Sequence, residues 1–171
     1  PEVTGAIREI VADYRSRILE IAQHANLPHD LPDPAEAHKQ VPLGIPSGPK
    51  KPALERAFKP LGYTCHGATG TFTLRRRTAS NLTVELYMDV GTWSHSVLAI
   101  FRVLGMGFKA TVSLPVGARA VLHAQYPIGN AERWQQIVDN YATLVAELDR
   151  TLVPAIEAAA GPSPAWYRPE S

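Results

Sequence analysis

Cys65 is the single cysteine of this 171-residue chain. A lone thiol excludes an internal disulfide framework and any zinc centre built from several thiolates. A reducing compartment, the cytoplasm, is therefore the simpler home. Excess charge is scarce as well. The formal net charge is +1, whereas a nucleic-acid footprint normally needs a clear excess of Lys and Arg on one face. No run approaches the roughly 20 consecutive apolar residues of a membrane-spanning helix. Neither nucleic acid nor membrane is expected as a partner. Pro1 to Gly5 does not begin a signal peptide, because the next stretch is charged and helix-periodic. Lysine is thin, with five against twelve arginines, which reads as genomic composition bias before function.

Apolar residues make up 45% and charged residues 19%, a balance that folds rather than stays disordered. The length suits one well-buried core and is too short for two comfortable domains. Val3, Ile7, Ile10, Val11, Tyr14, Ile18, Ile21, Ala22 and Ala25 recur at three and four residues, the stripe of an amphipathic helix. That helix fills residues 1–26, with Asn26 as a left-handed terminator. Residues 27–52 form a connection broken by seven prolines. Leu31, Val41, Leu43 and Ile45 give it apolar side chains to bury, so a segment laid over the surface is favoured over a free tether. Whether the first helix packs on its own body or on a neighbouring molecule stays open, and a homodimer is one outcome.

Residues 53–171 carry the rest of what is read as one structural domain. A short helix, Ala53 to Leu61, stops at Gly62. Strand-like runs follow at Tyr63 to Arg77, Leu82 to Gly91, Ser96 to Leu104 and Phe108 to Pro115, with a fifth at Ala120 to Gln125. Asn130 reads as the N-cap of a final helix, with Glu132 in its first turn. Trp134, Ile137, Val138, Tyr141, Val145, Leu148, Leu152 and Ile156 give that helix the longest apolar stripe, and Pro154 is expected to kink it. The expected fold is α+β. A single antiparallel sheet of four to five strands is covered on one face by the long C-terminal helix, with an N-terminal helix and a proline-rich crossing.

Face matching sets the expected registers, because a one-residue slip exchanges the two faces of a strand. The three-residue loop Ala79-Ser80-Asn81 places Arg75 opposite Glu85, Arg77 opposite Thr83, Thr73 opposite Tyr87 and Thr71 opposite Asp89. A turn at Gly105-Met106-Gly107 pairs Leu104 with Phe108, Arg102 with Ala110 and Ile100 with Val112 on the core face. Arg102 is the misfit in that scheme.

Few residues suggest chemistry. Cys65, His66, His95 and His123 are the only group of nucleophile or metal type, and adjacent strand residues point to opposite faces. No His-x-x-x-His, Cys-x-x-Cys or paired-carboxylate spacing supports a zinc centre. Gly67-Ala68-Thr69-Gly70 and Gly105-Met106-Gly107 open no helix, so neither reads as a phosphate cradle. Arg75-Arg76-Arg77 splits between the two faces and reads first as a cross-strand charge ladder. No catalytic residue, metal or cofactor is assigned. The composition that asks for explanation is a polar face carrying Arg75, Arg77, Glu85, Tyr87 and Asp89, with Trp93 and His95 just beyond it. Exposed aromatics beside charges are the make-up of a protein-recognition patch.

Leu61-Gly62-Tyr63, Gly70-Thr71-Phe72, His123, Arg133-Trp134 and Pro154-Ala155-Ile156 carry a family likeness. Over Leu54 to Trp166 the chain resembles an uncharacterised bacterial family. Some of its members sit beside contact-dependent toxins as immunity-like proteins. The resemblance implies a protein that binds another protein, with no active site to carry over. The expected function is thus a non-enzymatic interaction protein of immunity or adaptor type. A small-ligand module with a pocket between sheet and long helix is the alternative, and an enzyme using His66 or His95 ranks third.

Overall fold

Side-chain alternation and two tight turns build the sheet from which everything else hangs. The computed structural model describes residues 2–40, 49–67, 70–90, 96–119 and 125–168. Its strands are β1 (Thr64–His66), β2 (Thr71–Arg77), β3 (Thr83–Asp89), β4 (Ser96–Gly105), β5 (Phe108–Leu114) and β6 (Tyr126–Pro127). Strands β1 to β5 lie in sequence order, each antiparallel to the next, and β6 pairs with the first residues of β4. The expected run Tyr63 to Arg77 is divided into β1 and β2, which fold back on each other with Thr64 opposite Arg75. The expected fifth strand, Ala120 to Gln125, falls largely outside the described residues.

The first long hairpin has the expected register. Thr71, Thr73, Arg75 and Arg77 stand opposite Asp89, Tyr87, Glu85 and Thr83. The turn closes as anticipated, with Asn81 left-handed at φ 60° and the Thr78 N–H donating to the Leu82 carbonyl at 2.9 Å.

The second long hairpin corrects the expectation by one residue. Gly105 pairs with Phe108, Val103 with Ala110 and Phe101 with Val112, so the loop is Met106-Gly107 alone. Gly107, the second loop residue, takes a positive φ of 86°, a conformation that favours glycine. Gly105 ends β4, and glycine is needed there because the Phe108 ring occupies the space that a Cβ would take. The slip carries Phe101 and Val103 into the core and moves Ile100, Arg102 and Leu104 to the other face.

The core face of the sheet is therefore Phe72 and Leu74, Val84 with Leu86 and Met88, Ala99 with Phe101 and Val103, and Ala110 with Val112 and Leu114, all buried. Helix α4 (Ala131–Ala160) lies over it. Asn130 caps α4 by accepting the Arg133 N–H at 2.8 Å, and the helix continues through Pro154 to Ala160. Its buried stripe is the expected one, with Leu144, Val153 and the polar Asn140 added. Arg76, on the core side of β2, reaches Asp149 of α4 at 2.8 Å.

Helix α1 (Glu2–His24) is not remote. Ile7, Val11, Ile18 and Ala22 are buried where it meets α4 and β5. Arg15 donates to the Thr111 carbonyl and hydroxyl, both at 2.8 Å, so α1 covers the free edge of β5. The proline-rich crossing contains a short helix, α2 (Pro34–Gln40), capped by the Asp33 carboxylate on the Glu36 N–H at 3.0 Å. Val41, Leu43 and Ile45 lie outside the described residues, whereas Leu31 is buried. Asn140, 1% exposed, holds the crossing down. Its amide accepts the His29 N–H at 3.0 Å and donates to the carbonyls of His29 and Val116, each at 2.9 Å. Helix α3 (Lys51–Phe58) runs into a 3-10 turn, Lys59–Leu61, ended by left-handed Gly62.

Leu148 is fully buried in the α4 stripe. Leu148→Ala should lower unfolding free energy by about 2–5 kcal/mol in denaturant titrations. A loss below about 1 kcal/mol would place that stripe against something other than the core.

Candidate functional site

With α4 on one face, the opposite face of the sheet is the candidate site. By register it carries Thr64 and His66, then Thr73, Arg75 and Arg77, then Thr83, Glu85, Tyr87 and Asp89, then Ile100, Arg102 and Leu104, and finally Lys109 and Thr111. Of the residues expected to form a recognition patch, Arg75, Arg77, Glu85, Tyr87 and Asp89 share this face. Trp93 and His95 lie outside the described residues, as does His123.

Glu85 departs from the simple charge ladder. It is 3% exposed, and its two carboxylate oxygens take different arginines: Arg75 Nε at 2.9 Å and Arg102 at 3.2 Å. Arg102, expected in the core, is the partner that lets Glu85 be buried. Its guanidinium also lies 4.5 Å from the Tyr87 ring centroid, a cation–π contact, while its Nε makes no hydrogen bond. A desolvated carboxylate under two guanidiniums is satisfied only as a unit, and removing one member strands the others. Tyr87 is half-buried, whereas Arg77 and Asp89 are exposed.

The segment after α4 closes one end of this face. Left-handed Gly161 turns the chain, and the Ser163 N–H donates to the Ser80 carbonyl at 2.9 Å. Asn81 donates to the Pro164 carbonyl, and the Tyr167 hydroxyl donates to the Gly105 carbonyl at 2.8 Å. The tail thus bridges the two hairpin turns. Two hollows result. One, of about 560 Å³, has Thr73, Arg75, Glu85, Tyr87, Arg102 and Lys109 in its lining and Tyr167 at its margin. The other, of about 520 Å³, is bounded by Thr64, His66, Arg75, Arg76, Arg77, Thr83 and Arg168. Trp166, beside Tyr167, is 74% exposed. Of the two aromatic residues in the tail, Tyr167 is therefore the one that docks.

Cys65 and His66 point to opposite faces, Cys65 opposite Leu74 and His66 opposite Thr73. Burial pushes the Cys65 thiol up, away from thiolate character. Among the described residues no group of three His, Cys, Asp or Glu is placed to hold a metal. Tyr63 donates to Asp149 at 2.7 Å, and burial followed by that carboxylate raises its phenol well above the usual range. With Arg76 it locks β1 and β2 to α4. Between sheet and α4, where a ligand pocket was the alternative expectation, Leu74, Leu86, Phe101, Trp134, Tyr141 and Leu148 are all buried. A scan of protein-family models and searches of curated proteins and solved structures find no match to this chain.

Glu85→Ala should cost about 3–5 kcal/mol of stability, because Arg75 and Arg102 lose a shared buried counter-charge. Arg77→Ala, at an exposed position, should stay within about 0.5 kcal/mol of wild type. Equal effects in thermal melts of the two variants would contradict the burial difference.

Proposed function

We propose that the chain is a non-enzymatic protein of immunity or adaptor type, which binds an acidic surface of another protein through the open face of its sheet. The observation that carries this reading is the charge of that face. Arg75, Arg77, Arg102, Lys109 and Arg168 stand there against Glu85 and Asp89, although the whole chain has a net charge of only +1. Cationic side chains are thus gathered on one surface, which favours encounter with an opposite charge. Glu85 is already neutralised inside the face, so its two arginines are oriented before a partner arrives, and ordering costs on binding fall. Tyr87, packed under Arg102, and exposed Trp166 supply the rigid aromatic area that interface centres commonly use. The likeness to immunity-like proteins supports the same class of partner.

The small-ligand alternative is less favoured, since the described side chains facing each other across the sheet–α4 layer are buried and apolar. A cytoplasmic setting fits the lone, partly buried cysteine.

Binding of the native partner, captured from its own cells, should weaken with rising salt as expected for complementary charges. Arg77→Ala should slow association without loss of folding. Tyr87→Ala and Trp166→Ala should each weaken binding by more than about 1 kcal/mol. Partner binding that survives all three changes and is insensitive to salt would sink the assignment of this face.

A further inference from the structure

The smaller hollow holds a feature that protein recognition alone does not require. Arg77 and Arg168 both donate to one oxygen, the Tyr167 carbonyl, at 3.1 and 2.8 Å. Their other partners among the described residues are neutral: the Asn81 side-chain oxygen for Arg77 and the Ala165 carbonyl for Arg168. Two guanidiniums are thus brought together with no carboxylate between them among the described residues. Arg75 and Arg76 border the same hollow, held by Glu85 and Asp149 respectively. Among the described residues, four guanidiniums against those two carboxylates leave a local charge of +2, and Arg102 takes part of the Glu85 charge as well.

A second observation is independent of the charge. Thr83 stands opposite Arg77, is 4% exposed and lines the hollow, yet its hydroxyl has no hydrogen-bond partner. A buried orphan hydroxyl costs stability unless something in the hollow bonds to it.

From these we infer that the hollow between β1, β2 and the C-terminal tail is a binding site for a phosphomonoester group. Phosphate carries about −1.5 to −2 charge near neutral pH, which matches the local excess. Its three free oxygens can accept from two guanidinium forks at once, where a single carboxylate offers two oxygens. Arg77 and Arg168 are the primary ligands, Thr83 donates its hydroxyl, and exposed His66 flanks the entrance. The hollow's volume of about 520 Å³ leaves room for the organic group esterified to the phosphate.

Calorimetric titration of the whole chain with inorganic phosphate, O-phosphoserine and acetate at constant ionic strength tests the site. Saturable binding of one phosphate or O-phosphoserine per chain, well ahead of acetate, is expected. Tighter binding of O-phosphoserine marks an ester as the ligand, and equal binding marks the free ion. Arg77→Gln and Arg168→Gln should each weaken it about tenfold. Thr83→Val should weaken it while Thr83→Ser retains it, with circular dichroism showing the fold intact. Tyr87→Ala should leave phosphate binding unchanged, so this site and the partner-binding face can fail separately. Absence of saturable phosphate binding, acetate binding as tightly as phosphate, or full affinity in both arginine variants would overturn the inference.

Discussion

Glu85 sits in the middle strand pairings of the sheet, withdrawn from water, with a guanidinium on each side. Desolvating a carboxylate is expensive unless its oxygens find donors, and here β2 supplies one arginine and β4 the other. Both donors reach it only if the two hairpins hold their observed registers. A slip of one residue in β4 would send Arg102 into the apolar layer under α4 and bring Phe101 into water. The buried carboxylate and the alternation of apolar residues therefore demand the same pairing, and that agreement makes the sheet two-faced.

The layers follow from there. One face is apolar and takes α4, tied at its edge by Arg76 and Tyr63 to Asp149. Helix α1 and the proline-rich crossing are held against the same body by α1's buried stripe, by Arg15 on the edge of β5, and by Asn140. The other face keeps its charges, and among the described residues the tail after Gly161 lies against one end of it. Fold and candidate function thus share one origin: whatever packs against α4 fixes what is left for a partner.

Much of this was legible in the sequence, and the failures have physical reasons. The β2–β3 register could be read because both strands alternate cleanly and Asn81 marks a left-handed turn position. The β4–β5 register was misread because β4 is apolar on both faces: Leu98, Ile100 and Leu104 compete with Ala99, Phe101 and Val103 for the core. Two glycines around Met106 then allowed two loop lengths. Arg102 was the clue, since an arginine without a partner argued against the chosen face. Helix α2 was missed because prolines flank a segment of only 7 residues, too short for a periodic stripe. The convergence of Arg77 and Arg168 joins residues 91 positions apart, and no local pattern in the sequence marks it.

The two-faced sheet depends most on Arg102 sharing Glu85 with Arg75 on the open face. A double-mutant cycle on folding stability, combining Glu85→Gln with Arg102→Gln, measures that contact while both faces otherwise stay as they are. Members of one buried network should couple by about 0.5–3 kcal/mol, so the double variant should be less destabilised than the sum of the two single changes. Additive effects, agreeing within about 0.5 kcal/mol, would mean that the two side chains do not meet. The β4 register, and the open face built on it, would then be wrong.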